Sequence, residues 1–590
     1  MVSTEFFVFT TSKWCQNDRT QGGLRESKEG FSMKRKVIAA LLCTSMAITM
    51  MAGCGSNKKT GADNTGDTTK TETSGEEGNA DAETETGTTE KKASGEMLTE
   101  FTEVPSDVDT ERTLRYAQGA DPRGLDPAMI DDGESSKPIC QMYEGLLKYG
   151  DSNTEVEPCL AESWEVSEDG LTYTFKLREG VKFHDGTDFN AEAVKYNVDR
   201  QTVNKTEDML YADFVYGDVT ECNVVDDYTV EFKLGKKSTP FLNNLAMSLG
   251  APMVSPTACD AANGNLNEAP CGTGPYKFVR WNKNEAVVME RNEDYWGEKG
   301  VAKEIIFSTI PDNSARVVAL TNGEVDIIDG IDATVVDQIT SAGCLLYQAE
   351  GMNINYMAYN TQRVTDPEIR KALNEAVNVP ELVESIYKGY ATQATTILPT
   401  FMPGYSADVK QTEYNPEESK KVLEEKGITE LKMMAYTNPR PYNTATGQTL
   451  AEALQGYFDK VGVKVSIDSY DWTTYKEKLG AGDYDMCLYG WIGDNGDPDN
   501  FMYLLTHEDP AMNVALYRDD EYNTMLSEAA SMENGDERNG AYGKMEQKIA
   551  DENVWLPISH QQNLSGYVSN VQNFIAHPTG NVFLSKTYKN

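Results

Sequence analysis

The sequence predicts an α/β protein built from more than one domain, and three observations carry that prediction. The chain has 590 residues with 39% hydrophobic content, too long for a single core and apolar enough for several. Residues 161–200 alternate apolar and polar positions around Asp-Gly and Glu-Gly turns, the mark of an antiparallel meander. From about residue 353 to 489, short apolar runs alternate with helical patterns, which describes an α/β lobe.

The N-terminal part reads as export and tethering sequence. Met33-Lys34-Arg35-Lys36 is a basic n-region, residues 37–50 an apolar h-region, and Met51-Ala52-Gly53-Cys54 a small-residue close. The apolar run is too short, and too soon followed by polar sequence, for a membrane-spanning helix. The Ala-Gly-Cys order resembles a bacterial lipobox, which implies a signal at 33–53 and lipidation of Cys54. Met51 stands where that motif usually has Leu. Residues 1–32 precede a complete signal and are expected to be an upstream extension from a misassigned start. Residues 54–109, rich in Thr, Glu, Gly and Asp, bury too little apolar surface to offset ordering entropy and are expected to form a disordered acidic tether.

The net charge of −41 disfavours nucleic acid as a partner, since phosphate recognition needs clustered Lys and Arg. Of ten cysteines, Cys15, Cys43 and Cys54 fall in the leader, signal and anchor. The remaining odd number rules out complete pairing, and no CxxC or Cys/His metal spacing occurs. Cys259 and Cys271 are near enough in sequence to close a small loop, worth about 2–3 kcal/mol if formed; the residues leave that open. No metal or cofactor is expected.

Residues 113–118 form a short alternating strand, followed by a Pro/Gly-rich loop to Gly133. In the meander, Trp164, Val166, Tyr173, Phe175, Leu177, Val181 and Phe183 alternate, and Asn190 caps a helix. The Asp-Gly turn, the aromatic-x-Phe-x-Leu-Arg strand and Phe183-His184-Asp185-Gly186 together resemble the signature of the peptide and nickel family (family 5) of solute-binding proteins that serve ABC importers. The resemblance continues through Gly272-Thr273-Gly274-Pro275-Tyr276, Asn292 to Trp296, Ile310-Pro311-Asp312, Gly351-Met352-Asn353 and Ile369-Arg370-Lys371-Ala372-Leu373, and covers about residue 112 to the C-terminus. It implies a two-lobed periplasmic-binding-protein-like fold (type II, cluster C) with a subdomain inserted in lobe I. Lobe I is expected at 110–147, 249–304 and 562–590, the inserted subdomain at 148–248, and lobe II at 305–561. The two crossings between lobes, at 303–310 and 554–561, would form the hinge.

Enzymatic chemistry lacks its parts. With four histidines, no HExxH and no GxSxG, His184-Asp185 reads as a turn and not as a dyad. Binding residues are easier to place. The run 484–489 is a buried strand that delivers Asp494 to a loop, and the run 431–436 opens into Asn438-Pro439-Arg440-Pro441-Tyr442-Asn443. Between them, 444–461 is the clearest helix, with Leu450, Leu454, Tyr457, Phe458 and Val461 on one stripe. Ligands in open α/β sheets sit beyond the carboxyl ends of strands, so Arg440 and Asp494 would clamp the two ends of a zwitterion. Prolines on both sides stiffen the Arg440 loop. Gly490 and Gly493 permit close backbone approach or simply make a turn. Trp491 serves equally as core packing or as a ligand wall, and Asp497 and Asp499 are expected only to shape the turn.

Both loop phrases, 438–443 and 490–501, resemble those of dipeptide-binding members of the family. The resemblance implies that Arg440 takes the ligand carboxylate and Asp494 its ammonium. It further implies a monomeric, lipid-anchored extracytoplasmic receptor that binds a short peptide and delivers it to an ABC transporter permease. The same fold with another cargo (glutathione, haem, a metal chelate or an oligosaccharide) is the alternative.

Overall fold

The computed structural model describes residues 97–508 and 512–590. The expectations for 1–32, for the signal at 33–53 and for Cys54 lie outside the described residues, as does the tether up to residue 96.

The last part of the expected tether is not loose. Leu98 and Phe101 pack on a lobe I core, the Tyr347 hydroxyl donates to the Leu98 carbonyl at 3.0 Å, and the Phe101 and Thr102 N–H groups donate to Asp151 and Asn573. The stretch 54–109 is polar on average, yet Leu98 and Phe101 stand near its end. Two apolar residues at its end are enough to dock, because a preformed surface spares them the cost of building a core.

Both lobes are organised on one twelve-stranded sheet. Lobe II contributes Lys464–Tyr470, Glu430–Tyr436, Met486–Ile492 and Asn353–Tyr359 in spatial order; lobe I contributes Ile327–Ile328, Thr113–Gln118, Glu304–Thr309, Ala286–Arg291 and Tyr276–Asn282. Between them runs Trp555–Tyr567, thirteen residues long and common to both. Its first half pairs with Asn353–Tyr359 and Ala391–Gln393, its second half with Leu345–Glu350 and Ile327–Ile328. The hydrophobic cores divide at the same place: one spans Met352 to Ile558, and others gather Leu114, Phe307, Leu320, Leu346 and Leu564.

This corrects the first expected crossing. Glu304–Thr309 lies inside lobe I, parallel to Thr113–Gln118 over six residue pairs and antiparallel to Ala286–Arg291. The chain passes into lobe II at Gly351–Met352, so residues 305–350 belong to lobe I. Strand–helix alternation misled here because lobe I carries its own parallel unit: Glu304–Thr309, the helix Asn313–Thr321, and Ile327–Ile328, with both strands flanking Thr113–Gln118. Where the two crossings meet, Asn353 holds them together. Its Nδ2 donates to the Gln561 carbonyl at 2.8 Å and its Oδ1 accepts from the Gln561 N–H at 2.7 Å.

The inserted unit has a sheet of its own, in the order Ala161–Val166, Thr172–Leu177, Thr229–Leu234, Val219–Asp226. The helix Ala191–Gln201, capped by Asn190, packs on it over Phe175, Val194, Phe232 and Phe241. Cys259 and Cys271 are free thiols. They face different cores, Cys259 that of lobe I and Cys271 that of the inserted unit, so sequence proximity does not bring them together.

Candidate ligand-binding cleft

Glu430–Tyr436 and Met486–Ile492 are parallel neighbours, Met433 opposite Met486 and Met434 opposite Cys487, so their carboxyl ends open on one edge. The first leads into a two-stranded ribbon, Pro439–Arg440 against Asn443–Thr446, with Arg440 opposite Asn443. Buried Asn443 pins the ribbon: it donates to the Tyr436 hydroxyl and accepts from that of Tyr387. The long helix accordingly begins at Gly447, capped by Thr446, three residues later than its apolar stripe suggests. The second strand runs through Ile492, so Asp494 lies two residues past its end.

The Arg440 guanidinium carbon sits 4.1 Å from the centre of the Trp472 ring. Trp472 in turn stacks on Tyr475 and Tyr489 and meets Tyr436 edge-on. Among the described residues no carboxylate pairs with Arg440, and its buried Nε has no hydrogen-bond partner. A planar cation lying on an aromatic face, with no carboxylate partner among the described residues, is arranged for a carboxylate.

Asp494 is surrounded differently. The Tyr211 hydroxyl donates to Oδ1 at 3.0 Å and Asn500 Nδ2 to Oδ2 at 3.3 Å, while the Asp494 N–H donates to Asn500 Oδ1 at 3.0 Å. These donors are neutral, and no Lys or Arg among the described residues pairs with it. Burial pushes its carboxyl up to about 6, against the pull of Asn500 and Tyr211. An ammonium is the partner that such a site lacks.

Arg440 and Asp494 line one cleft, of about 260 Å³, between the lobes. Pro441, Tyr442, Trp472 and residues 489–493 complete its lobe II wall; lobe I supplies residues 131–133, Tyr211, residues 247–249, Thr579 and Asn581. Core packing and a place on the cleft wall were alternatives for Trp491, and they do not exclude one another. It packs against the lobe II core, lines the cleft, and donates its indole N–H to Asn500. Gly490 and Gly493 also line the cleft, yet the reason for glycine lies on the protein side. A Cβ on Gly490 would stand 2.3 Å from the Tyr442 ring, and one on Gly493 2.5 Å from that of Phe501.

Asp497 does more than shape the turn. Its carboxylate takes both arms of Arg538, at 2.7 and 2.8 Å, with both side chains buried. The cause is tertiary: Arg538 comes from the helix Asp536–Asp551, far along the chain. Asp499 accepts from the Tyr542 hydroxyl, and burial with the nearby Asp497 charge pushes it up to about 7. His184 is directed to the Gly274 carbonyl, and Asp185 to Ser255 and Thr187.

Sequence reasoning missed Tyr211, Trp472, Tyr442 and Asn500. Tyr442 and Asn500 lie in the loops 438–443 and 490–501, where no local feature assigns them a role. Local pattern marks Trp472 as the first residue of a helix behind its cap Asp471, but not the role of its ring. Nothing local marks Tyr211, whose bond to Asp494 spans 283 residues of sequence.

The chain is similar to known proteins over most of its length. The family described as bacterial extracellular solute-binding proteins, family 5 (middle), matches residues 155–513. The chain is 31% identical to the dipeptide-binding protein of Escherichia coli K12 over 504 residues, covering 80% of this chain and 93% of that protein. It is 29% identical to heme-binding protein A of Haemophilus influenzae, covering 83% and 94%. Among solved structures, the ABC transporter-associated periplasmic binding protein DppA of Helicobacter pylori, in complex with the peptide STSA, matches with a TM-score of 0.70 at 29% identity, over 81% of this chain and 98% of that one.

Proposed function

Since the chain belongs to family 5 of the bacterial extracellular solute-binding proteins, we propose that it captures dipeptides or other short peptides outside the cytoplasm and hands them to an ABC transporter permease. One observation carries the reading: a guanidinium and a carboxylate, neither with a counter-ion among the described residues, face the same cleft. Arg440 takes the peptide carboxylate, Asp494 its ammonium, and the span between them selects chain length. Trp491, Gly490 and Gly493 shape the wall between the two charges. In this reading the protein acts as a monomer, without a cofactor and without a chemical step. Lipid on Cys54 holds it to the outer face of the membrane. Replacing Cys54 with Ala is expected to move the protein to the soluble fraction; retention with the membrane would place the anchor elsewhere.

The binding test pairs protein and ligand changes. Loss of one partner leaves a desolvated ligand charge unmatched, which costs about 2–5 kcal/mol, or about thirty-fold to several thousand-fold in affinity. Arg440→Ala and Asp494→Asn are each expected to show such a loss for a dipeptide by titration calorimetry. Acetylating the peptide N-terminus should harm wild type far more than Asp494→Asn, and amidating its C-terminus should harm wild type far more than Arg440→Ala. Equal losses in wild type and variant would remove these residues from the termini. Binding of haem, glutathione, a metal chelate or a sugar, with no peptide bound, would change the cargo and keep the fold.

A further inference from the structure

A second cavity, of about 350 Å³, lies in lobe I behind the cleft. Met247 and Ser248 line both spaces and form the partition between them. Beyond the partition the wall carries Tyr143, Trp296, Phe583 and the thiol of Cys140. Its ionisable groups are already engaged. Glu144 accepts from Thr273, Tyr295 and Trp296 at 2.6–2.9 Å; Lys148 pairs with Glu157 and Lys586 with Glu298; Asp151 accepts the Phe101 N–H. A charged group entering this space would lose its water, whereas an apolar group would gain burial against Tyr143, Trp296 and Phe583. The partition is compliant, because a thioether side chain changes rotamer at small cost and serine is small.

We infer that this compartment receives a bulky apolar side chain of the peptide held in the cleft, so that the preferred substrates are short peptides with an aromatic or large aliphatic residue. The inference rests on the peptide reading above. It goes beyond the clamp, which recognises only the termini.

The test titrates the full chain with Ala-Ala, Ala-Phe, Phe-Ala and Ala-Lys. Wild type is expected to bind one of the two phenylalanine peptides about tenfold or more tighter than Ala-Ala, with Ala-Lys gaining nothing. Ala246 lines the second cavity and not the cleft. Ala246→Phe should therefore erase the preference and leave Ala-Ala affinity within about twofold, and Ala246→Val should reduce it in part. Tight binding of Ala-Ala with no gain from phenylalanine would overturn the inference and leave the peptide reading standing. A preference undiminished in both Ala246 variants would overturn it too, by placing the side chain elsewhere. If no peptide binds, the peptide reading fails and the inference falls with it.

Discussion

Asp494 and Asp497 stand three residues apart in one loop, and their surroundings are opposite. Asp497 is locked to Arg538, with side chains only 3% and 1% exposed. Among the described residues Asp494 receives only neutral donors, and Arg440, the arginine that shares its cleft, lies on Trp472 and takes no carboxylate. A buried pair uses its mutual attraction to offset its own desolvation. A charge left without a partner keeps that attraction for whatever enters. Lobe II thus neutralises charge where loop and helix must stay together, and leaves it unneutralised at the edge where two strands open.

The sharpest test of the contrast removes Arg538. Arg538→Met strands the Asp497 carboxylate in the core, and the expected loss is about 3–5 kcal/mol of stability, read as a fall in the urea midpoint. Adding Asp497→Asn should recover part of it, since the stranded charge is then gone. Arg440→Met is expected to change the stability of the ligand-free protein by less than about 1 kcal/mol, and Asp494→Asn, which removes a charge that burial disfavours, should not destabilise it. If Arg440→Met destabilised the protein as much as Arg538→Met does, the distinction between structural and binding charge would collapse.

These charges also mark the limit of sequence reading. Arg440 and Asp494 were legible because each follows an apolar run and sits among Pro, Gly and Asn, so strand, loop and charge could be placed from local pattern. The meander was legible for the same reason, as alternation plus turns. The lobe boundary was not, because strand–helix alternation is the same on both sides of Gly351 and only the pairing of Glu304–Thr309 with Thr113–Gln118 assigns it. Tyr211 and Arg538 were invisible because their partners lie in other elements, and no local signal records a tertiary contact. Leu98 and Phe101 escaped notice because docking on a finished surface needs two side chains, not a periodic stripe.

A smaller effect, on pH dependence, separates the same two carboxylates. The Asp494 carboxyl sits at about 6, above the ordinary Asp range, so the folded protein favours its neutral form. In the free protein the penalty is absent below about pH 4 and complete above about pH 6, so this group lowers stability as pH rises through that window. An ammonium ligand reverses the preference and demands the ionised form. Affinity for a dipeptide is therefore expected to be full above pH 6 and to fall by up to about tenfold per unit below it, with proton release on binding. Between pH 4.5 and 7 the peptide's own termini hardly titrate, near about 3.5 and 8. Asp499 and Glu546, each pushed up to about 7 by burial, do not line the cleft and should act on stability alone. Asp494→Asn should flatten the affinity profile; a profile unchanged in that variant would assign the titration to another group.

The least of these effects concerns how Arg440 is held. Its guanidinium lies 4.1 Å from the Trp472 ring centre, and that ring is fixed by Tyr436, Tyr475 and Tyr489. A cation–π contact of this kind contributes about 0.5–2 kcal/mol, the upper end where water is excluded. In Trp472→Leu the arginine keeps its charge and its ribbon but loses the face that orients it, so dipeptide affinity should fall about two-fold to thirty-fold. The loss should depend on the ligand carboxylate: a C-terminally amidated peptide, which has no charge for Arg440 to fork, should distinguish wild type from Trp472→Leu much less than the free acid does. Lys476, 6.0 Å from the same ring, is the internal control, because it does not line the cleft and Lys476→Met should leave both peptides unaffected. An equal loss for acid and amide would mean that Trp472 packs the wall without orienting the charge. Arg440 would then be held by its flanking prolines and the Asn443 ribbon alone.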